Sequence, residues 1–339
     1  MPDRAQTNRA SSPLPWAVGI VHQVCCLAGS LDLLNEVRRD ARSRRIEGAI
    51  VRHDTPRLFD WLFSAFSFQG ISDRVARGYI RDHGSVTWRQ IEEAFASKPH
   101  CPRLRSYWAH DHCGYDKGSG CCSEPEYTGT CPLPRHNLRN GRLNQTAYSL
   151  FLFVRDIAGG DIVGWIDRQL SELTETTPSP AHVLEAQESL VGPLRHVFGI
   201  SDKLLMMALS SLLIAAPNAR PNWLPIGAGM IVIDTLVHNF MYRTGILGRF
   251  NAGHSYGPRC YAQGGCADLI RSISAEIDTT QFNRDFPRSF PRFIQHAIWQ
   301  YCAGDGLNVC NGNNIDDALR CRNNNCQLYS ICQRIRLNA

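Results

Sequence analysis

Apolar residues recur three and four positions apart in segment after segment of this chain, and convincing runs that alternate with period two are absent. PRLFDWLFSAFSF (56–68), VTWRQIEEAFA (86–96), LNQTAYSLFLFVRDI with DIVGWIDRQLSEL (143–173), PAHVLEAQESLVGPLRHVF leading into FGISDKLLMMALSSLLIAA (198–216), MIVIDTLVHNFMYRTGIL (230–247) and FPRFIQHAIWQYCAG (290–304) all carry that spacing. It gathers the apolar side chains on one face of a helix. Local signals agree: Asp54 or Thr55 caps the first of these segments with Pro56 at its start, Ser72 is placed to cap the next, and Thr87 opens the third. The pattern predicts an all-α fold. With 339 residues, 43% of them hydrophobic, the chain can bury one large or two medium cores.

Three stretches break the pattern. Residues 98–142 are rich in Cys, Gly, Pro, His and Arg and read as an inserted region, held by a metal or poorly ordered. Residues 216–229 (APNARPNWLPIGAG) and 248–266 (GRFNAGHSYGPRCYAQGGC) read as loops from their Gly and Pro content. Net charge is +5, which permits nucleic-acid binding without demanding it. The densest basic cluster is Arg38, Arg39, Arg42, Arg44 and Arg45, either a solvated helix face or a phosphate-contacting one. No apolar run reaches the roughly 18–20 residues of a membrane span, so no membrane partner is expected. Near the N-terminus, basic residues precede a short apolar stretch in the manner of a signal peptide, but His22 and Gln23 interrupt it and a helical reading continues.

Twelve of the fourteen cysteines fall into three groups: 101, 113, 121, 122 and 131; 260 and 266; 302, 310, 321, 326 and 332. A long chain with apolar helices has no need of disulfide staples, and clusters on short loops suit metal or iron–sulfur ligation. A reducing, cytoplasmic setting is the expectation. Cys310, Cys321, Cys326 and Cys332 have the spacing C-x10-C-x4-C-x5-C, a site for [4Fe–4S] or zinc. Cys113, Cys121, Cys122 and Cys131, with Cys101, His110 and His112 nearby, form a possible second metal site for Zn2+. Cys260 and Cys266 with His254 form a possible third.

Three further features each have a plain reading and a chemical one. Lys203 stands on the first turn of an apolar helix, where the helix dipole disfavours a cation; either it points into water, or its amine has work that benefits from the neutral form. Asp234 precedes an amphipathic helix and is either its cap or a functional carboxylate. Gln69 ends an apolar helix just before a Gly turn and by itself is an ordinary polar terminus.

Taken in order, these pieces resemble the helix-hairpin-helix superfamily of base-excision DNA glycosylases, in particular the endonuclease III type with its C-terminal iron–sulfur cluster. The likeness runs over roughly residues 54–97 and 182–339. Its Ser-x-Gln element is matched by Ser67, Phe68 and Gln69, and its hairpin in part by Phe198, Gly199, Ile200, Ser201, Asp202 and Lys203. Its Val-Asp-Thr element is matched by Ile233, Asp234, Thr235 and Leu236, and the cluster cysteines come last. There are departures. The hairpin's proline is missing, Ser201 replaces its second glycine, Lys203 and Asp234 are 31 residues apart, and only the last cysteine interval is kept.

The resemblance implies two helical domains with a DNA cleft between them: N-terminal helices 1–53 packed with the cluster domain, a six-helix barrel 54–232 bearing the insertion 98–142, and a cluster domain 233–339. It implies a monomer that takes double-stranded DNA with a damaged or modified base and removes that base. Gln69 would fill the gap left by the flipped nucleotide, and Gly199 and Ser201 would meet a phosphate. Lys203 would attack the sugar as a Schiff-base nucleophile, and Asp234 would stabilise the developing positive charge. Tyr256 and His238 are pocket candidates through their nearness to Asp234 in sequence. A glycosylase without lyase activity and a non-catalytic iron–sulfur DNA-binding protein are the alternatives.

Overall fold

The computed structural model describes residues 12–28, 32–67, 73–97, 101–135, 143–171 and 179–337. Among them the chain is mostly helical, with a single two-stranded sheet, so the class is all-α. The candidate Gln69 and the expected cap Ser72 lie outside the described residues.

The chain forms two compact units. One runs from Leu34 to Met230; the other joins the N-terminal segment up to Leu33 to residues 231–339. The boundary differs from the expected one. Residues 34–53 belong to the Leu34–Met230 unit, because Ala41, Ile46, Ala49 and Ile50 are buried in its core together with Leu58, Phe59 and Phe63.

In the Leu34–Met230 unit, helix Thr55–Phe66 starts where Asp54 accepts the Arg57 N–H at 3.2 Å, and it buries Leu58, Phe59, Leu62, Phe63 and Phe66 on one face. Helix Trp88–Ala96 opens with a capping box: Thr87 accepts from Gln90 N–H, and the Gln90 side chain accepts from Thr87 N–H. Helix Asn144–Asp156 is buried on every side from Asn144 to Val154, which marks it as the centre of the unit. The arginine-rich helix Leu33–Ser43 keeps much of its charge local: Arg42 pairs with Glu47 and Arg44 with Asp40.

Two expected loops are better ordered than their composition indicates. Residues 216–229 end in helix Trp223–Gly229, packed against helix Asp202–Ile214. Gly227 is there for closeness: a Cβ would lie 2.8 Å from Leu213 Cβ, 3.0 Å from Ser210 O and 3.1 Å from Ile214 N. The Ser210 hydroxyl donates to the Gly227 carbonyl across the same contact at 2.8 Å. Gly227→Ala is therefore expected to destabilise the protein by about 1–3 kcal/mol through overpacking, read as a lowered thermal midpoint. The insertion 98–142 carries the strands Tyr115–Asp116 and Cys121–Cys122, paired antiparallel with Tyr115 opposite Cys122, and short helices at Tyr107–His110 and Pro125–Thr128. It docks on the central helix, where Asn144 donates to Leu133 O (2.7 Å) and Asp156 accepts Tyr107 N–H (2.8 Å).

In the other unit, helix Pro13–Leu27 buries Ala17, Ile20, Val21, Val24 and Cys25 and packs against helices Pro291–Cys302 and Cys266–Ala275. Helix Thr235–Thr244 packs on Pro291–Cys302 as well. Phe282, Phe286, Phe290 and Phe293 stack as one aromatic group beneath them. From residue 303 to 337 there is neither helix nor strand. Among the described residues no helix is long and apolar enough to cross a membrane.

Candidate functional site

The hairpin lies in the Leu34–Met230 unit. Helix Pro180–Leu194, capped by Ser179, leads into a turn at Val197–Ile200, and helix Asp202–Ile214 follows. Gly199 sits at φ +74°, a left-handed conformation that glycine adopts without steric cost. The turn is gripped from the central helix: the Thr146 hydroxyl donates to Phe198 O at 2.8 Å, and Ser149 Oγ accepts Phe198 N–H at 3.0 Å. Ser201 is the residue before the helix, and its carbonyl accepts from Leu204 and Leu205 N–H. Lys203 is half-buried at the second helical position and has no hydrogen-bond or ion-pair partner among the described residues. Its neighbour Asp202 is taken by Arg195 at 3.0 Å.

Asp234 belongs to the other unit, and the plain reading of it holds. It caps helix Thr235–Thr244, Oδ1 accepting Val237 N–H at 3.0 Å. It also has a charged setting. Arg292 lies near enough to feel it, yet burial still pulls that guanidinium down to about 10. His296 is pushed down to about 3 by burial and then by Arg292. Tyr256 is pushed above the ordinary phenol range by burial, then by the Asp234 charge.

One turn beyond Asp234 the same helix presents His238, and here the structure brings together what the spacing leaves apart. His238, His254, Cys260 and Cys266 aim one ligand atom each at a common point, all within 4.8 Å of one another, and these residues could hold a metal ion. Cys260 Sγ and Cys266 Sγ lie 3.5 and 3.4 Å from His238 Nδ1, and Cys266 Sγ lies 3.5 Å from His254 Nε2. A thiolate at about 2.3 Å and an imidazole at about 2.0–2.1 Å from one tetrahedral ion are separated by about 3.5 Å. His254 Nδ1 donates to Ala252 O at 2.7 Å, which leaves Nε2 free to face an ion. Both cysteines are fully buried. A hydrogen bond from Cys266, with another from His238, draws the Cys260 thiol far down, while that same bond and burial drive Cys266 up. The loop is tightly made: a Cβ on Gly265, just before Cys266, would run into the Arg259 carbonyl. Two cysteines and one histidine of this centre are expected from sequence. The fourth ligand, His238, is not, since its only mark is standing four residues after a cap.

Cys310, Cys321, Cys326 and Cys332 line one small cavity together with Tyr301, Arg243 and Arg334. The thiols accept hydrogen bonds there: Cys326 from Leu328 N–H and from the Tyr301 side (3.1 Å between oxygen and sulfur), Cys332 from Arg334 N–H at 3.3 Å. Arg243 is 2% exposed and pairs with Asp317 through one nitrogen. Its Nε and Nη1, and Nε of Arg334, are buried with no partner. Buried donors of this kind are costly unless something accepts from them. Four thiols, a buried cation and orphaned donors around one space suit an anionic metal–sulfur group. Sequence reasoning misses Arg243 and Arg334, which look like ordinary helix-end and tail arginines.

In the insertion Cys101 and Cys131 are buried. In a strand, neighbouring side chains face opposite ways: Cys122 is half-buried, while Cys121 is exposed and its thiol meets Ser119 Oγ at 3.0 Å. His110 is buried but turns its Nε2 to Gln145 O, and His112 is exposed. No family model, curated protein or solved structure matches the chain.

Proposed function

We propose that the protein is a DNA glycosylase with lyase activity, acting on duplex DNA that carries a damaged or modified base. The observation that carries this reading is the hairpin: a left-handed Gly199 turn held by Thr146 and Ser149, with an unpartnered, half-buried Lys203 on the first turn of the helix that follows. Backbone N–H groups at such a helix start suit a DNA phosphate.

In this mechanism the neutral amine of Lys203 forms a bond to C1′ of an extruded nucleotide as the glycosidic bond breaks; the base leaves with the bonding pair and takes up a proton. The attached nitrogen gives a proton to solvent as the sugar ring opens to a Schiff base, and loss of the C2′ proton to solvent then expels the 3′ phosphate and nicks the strand.

The metal assignments belong to the same proposal. His238, His254, Cys260 and Cys266 hold zinc: three of their sulfur–nitrogen separations, 3.4–3.5 Å, match the edge of a tetrahedral site, and with all four positions filled by protein the site is structural. Cys310, Cys321, Cys326 and Cys332 hold a [4Fe–4S] cluster, with Arg243 balancing its charge.

Borohydride trapping on duplexes with an abasic site tests the reading. The wild-type protein is expected to become covalently linked to DNA, and Lys203→Gln to lose the adduct by at least about 1000-fold, the weight of an activated nucleophile. Base release without any trapped adduct would reduce the assignment to a monofunctional glycosylase. Absence of both, across a panel of lesions, with binding that salt does not weaken, would remove the DNA assignment altogether.

A further inference from the structure

We propose that Cys26 is a thiol-modification site that takes up small disulfides by exchange, with His22 as its base and Gln281 as the group that orients His22. The site is independent of the glycosylase reading.

The sequence supplies the first two members. His22 and Cys26 are four residues apart on helix Pro13–Leu27, so they stand one turn apart on the same face. Cys26 Sγ lies 3.6 Å from His22 Nδ1. The adjacent Cys25 is turned into the core at 0% exposure, and burial pushes its thiol up. Cys26 is exposed. Of the two neighbouring thiols one is sealed and the other open to solvent.

The third member comes from 259 residues away and decides where the imidazole proton sits. Gln281 belongs to the 3-10 turn Thr279–Gln281, which Asp278 caps. The Gln281 amide nitrogen donates to Asp278 O at 2.8 Å, so its oxygen is the atom that faces His22 Nε2, at 3.1 Å. A carboxamide oxygen only accepts. His22 therefore carries its proton on Nε2 and aims the lone pair of Nδ1 at the Cys26 thiol. The next residue, Phe282, lies against the imidazole, with ring centres 5.5 Å apart. Helical spacing alone would bring a histidine near a cysteine without fixing its ring; here a distant segment fixes it. Nucleophile, base and orienting amide in sequence is the arrangement by which a thiol gives up its proton as it attacks.

Disulfide exchange suits an exposed helix face, because it needs access to one sulfur and no subsite for the rest of the reagent. His22 Nδ1 takes the thiol proton as Cys26 Sγ bonds to one sulfur of the incoming disulfide. The sulfur–sulfur bond breaks, and the departing sulfur leaves with the bonding pair and takes up that proton. The products are a mixed disulfide on Cys26 and one free small thiol. Cys25, sealed in the core, is not placed to displace it.

The test treats the full-length protein with dithiodipyridine, an aromatic disulfide, and follows each cysteine by peptide mapping of quenched samples. Folding ordinarily slows a thiol by shielding it, and the last turn of a helix does not favour an anion. Native Cys26 is nonetheless expected to react at least about 10-fold faster than the same residue in the urea-unfolded chain at neutral pH, the lower end of what a positioned base contributes. His22→Gln is expected to lose that gain. Gln281→Leu is expected to lose most of it, and Gln281→Glu, which keeps an acceptor for Nε2–H, to recover it. The proposal is overturned if native Cys26 reacts no faster than the unfolded residue, or if folded His22→Gln or Gln281→Leu reacts as fast as wild type. Where a variant does not fold, the comparison within the wild-type protein decides.

Discussion

Cys266→Ala is expected to leave the unit containing residues 231–337 without its metal and largely unfolded. The argument is one of magnitudes. A structural zinc contributes about 10–16 kcal/mol of apparent binding free energy, most of which appears as folding free energy. A whole domain is stable by only about 5–15 kcal/mol. The centre here joins the helix of His238, the loop of His254, the 3-10 turn of Cys260 and the first residue of helix Cys266–Ala275. Removing one thiolate also leaves His238 and Cys260 facing a buried space they no longer fill. Circular dichroism should show loss of helix and a second, lower thermal transition, and metal analysis should show one zinc fewer per chain. A variant that lost zinc but melted within a few degrees of wild type would show that packing alone holds this unit.

Cys326→Ser is expected to abolish iron and acid-labile sulfide at the C-terminal site and to release residues 303–337 to protease. Structureless segments of this length are uncommon inside a compact domain unless something fastens them. Here the segment is tied down mainly near its ends: Leu307 N–H meets Gln300 O at 2.8 Å and Val309 N–H meets Tyr301 O at 2.9 Å, while Gln333 N–H meets Thr244 O at 3.1 Å and Ile335 N–H meets Arg243 O at 2.9 Å; between them Arg243 pairs with Asp317 and the Gln23 side chain donates to Gln327 O at 3.3 Å. Without the cluster the buried Arg243 charge keeps only Asp317, which is half exposed. Breaking such a pair costs about 3–5 kcal/mol, so Asp317→Ala combined with Cys326→Ser should open the segment completely. Limited proteolysis with mass mapping would read this as early cuts between 303 and 337, with helix Pro291–Cys302 still protected. An unchanged digestion pattern in the iron-free variant would show that the segment is held by its own hydrogen bonds.

Local chemistry made much of the fold legible before any coordinates. The starts at Asp54 and Thr87 could be read because a cap and its partner lie within three residues of each other. The central helix could be read from its apolar run Leu150–Val154, although the polar residues at its start are buried as well. Residues 216–229 show where that approach stops. Glycine and proline there signal a loop by composition, but Gly227 serves a close contact with Ser210 and Leu213, and nothing local reveals what a missing side chain faces. Ligand sets fail for the same reason. His254, Cys260 and Cys266 are recognisable by type and near spacing, whereas His238 lies sixteen residues upstream of His254, on helix Thr235–Thr244. Cys121 and Cys122 are indistinguishable in sequence until a strand register sends them to opposite faces. The hairpin turn at Gly199 was legible; the hydroxyls of Thr146 and Ser149 that steady it come from far away in sequence and were not.

The discontinuous unit sets an order on biosynthesis. Helix Pro13–Leu27 leaves the ribosome long before residues 266–275 and 291–302, on which Ile20, Val21 and Val24 come to rest at 0% exposure. The whole of 34–230 emerges in the interval and has its own core, so it can complete its fold first. The nascent first helix therefore travels with its oily stripe uncovered by these partners until residues 266–302 have emerged.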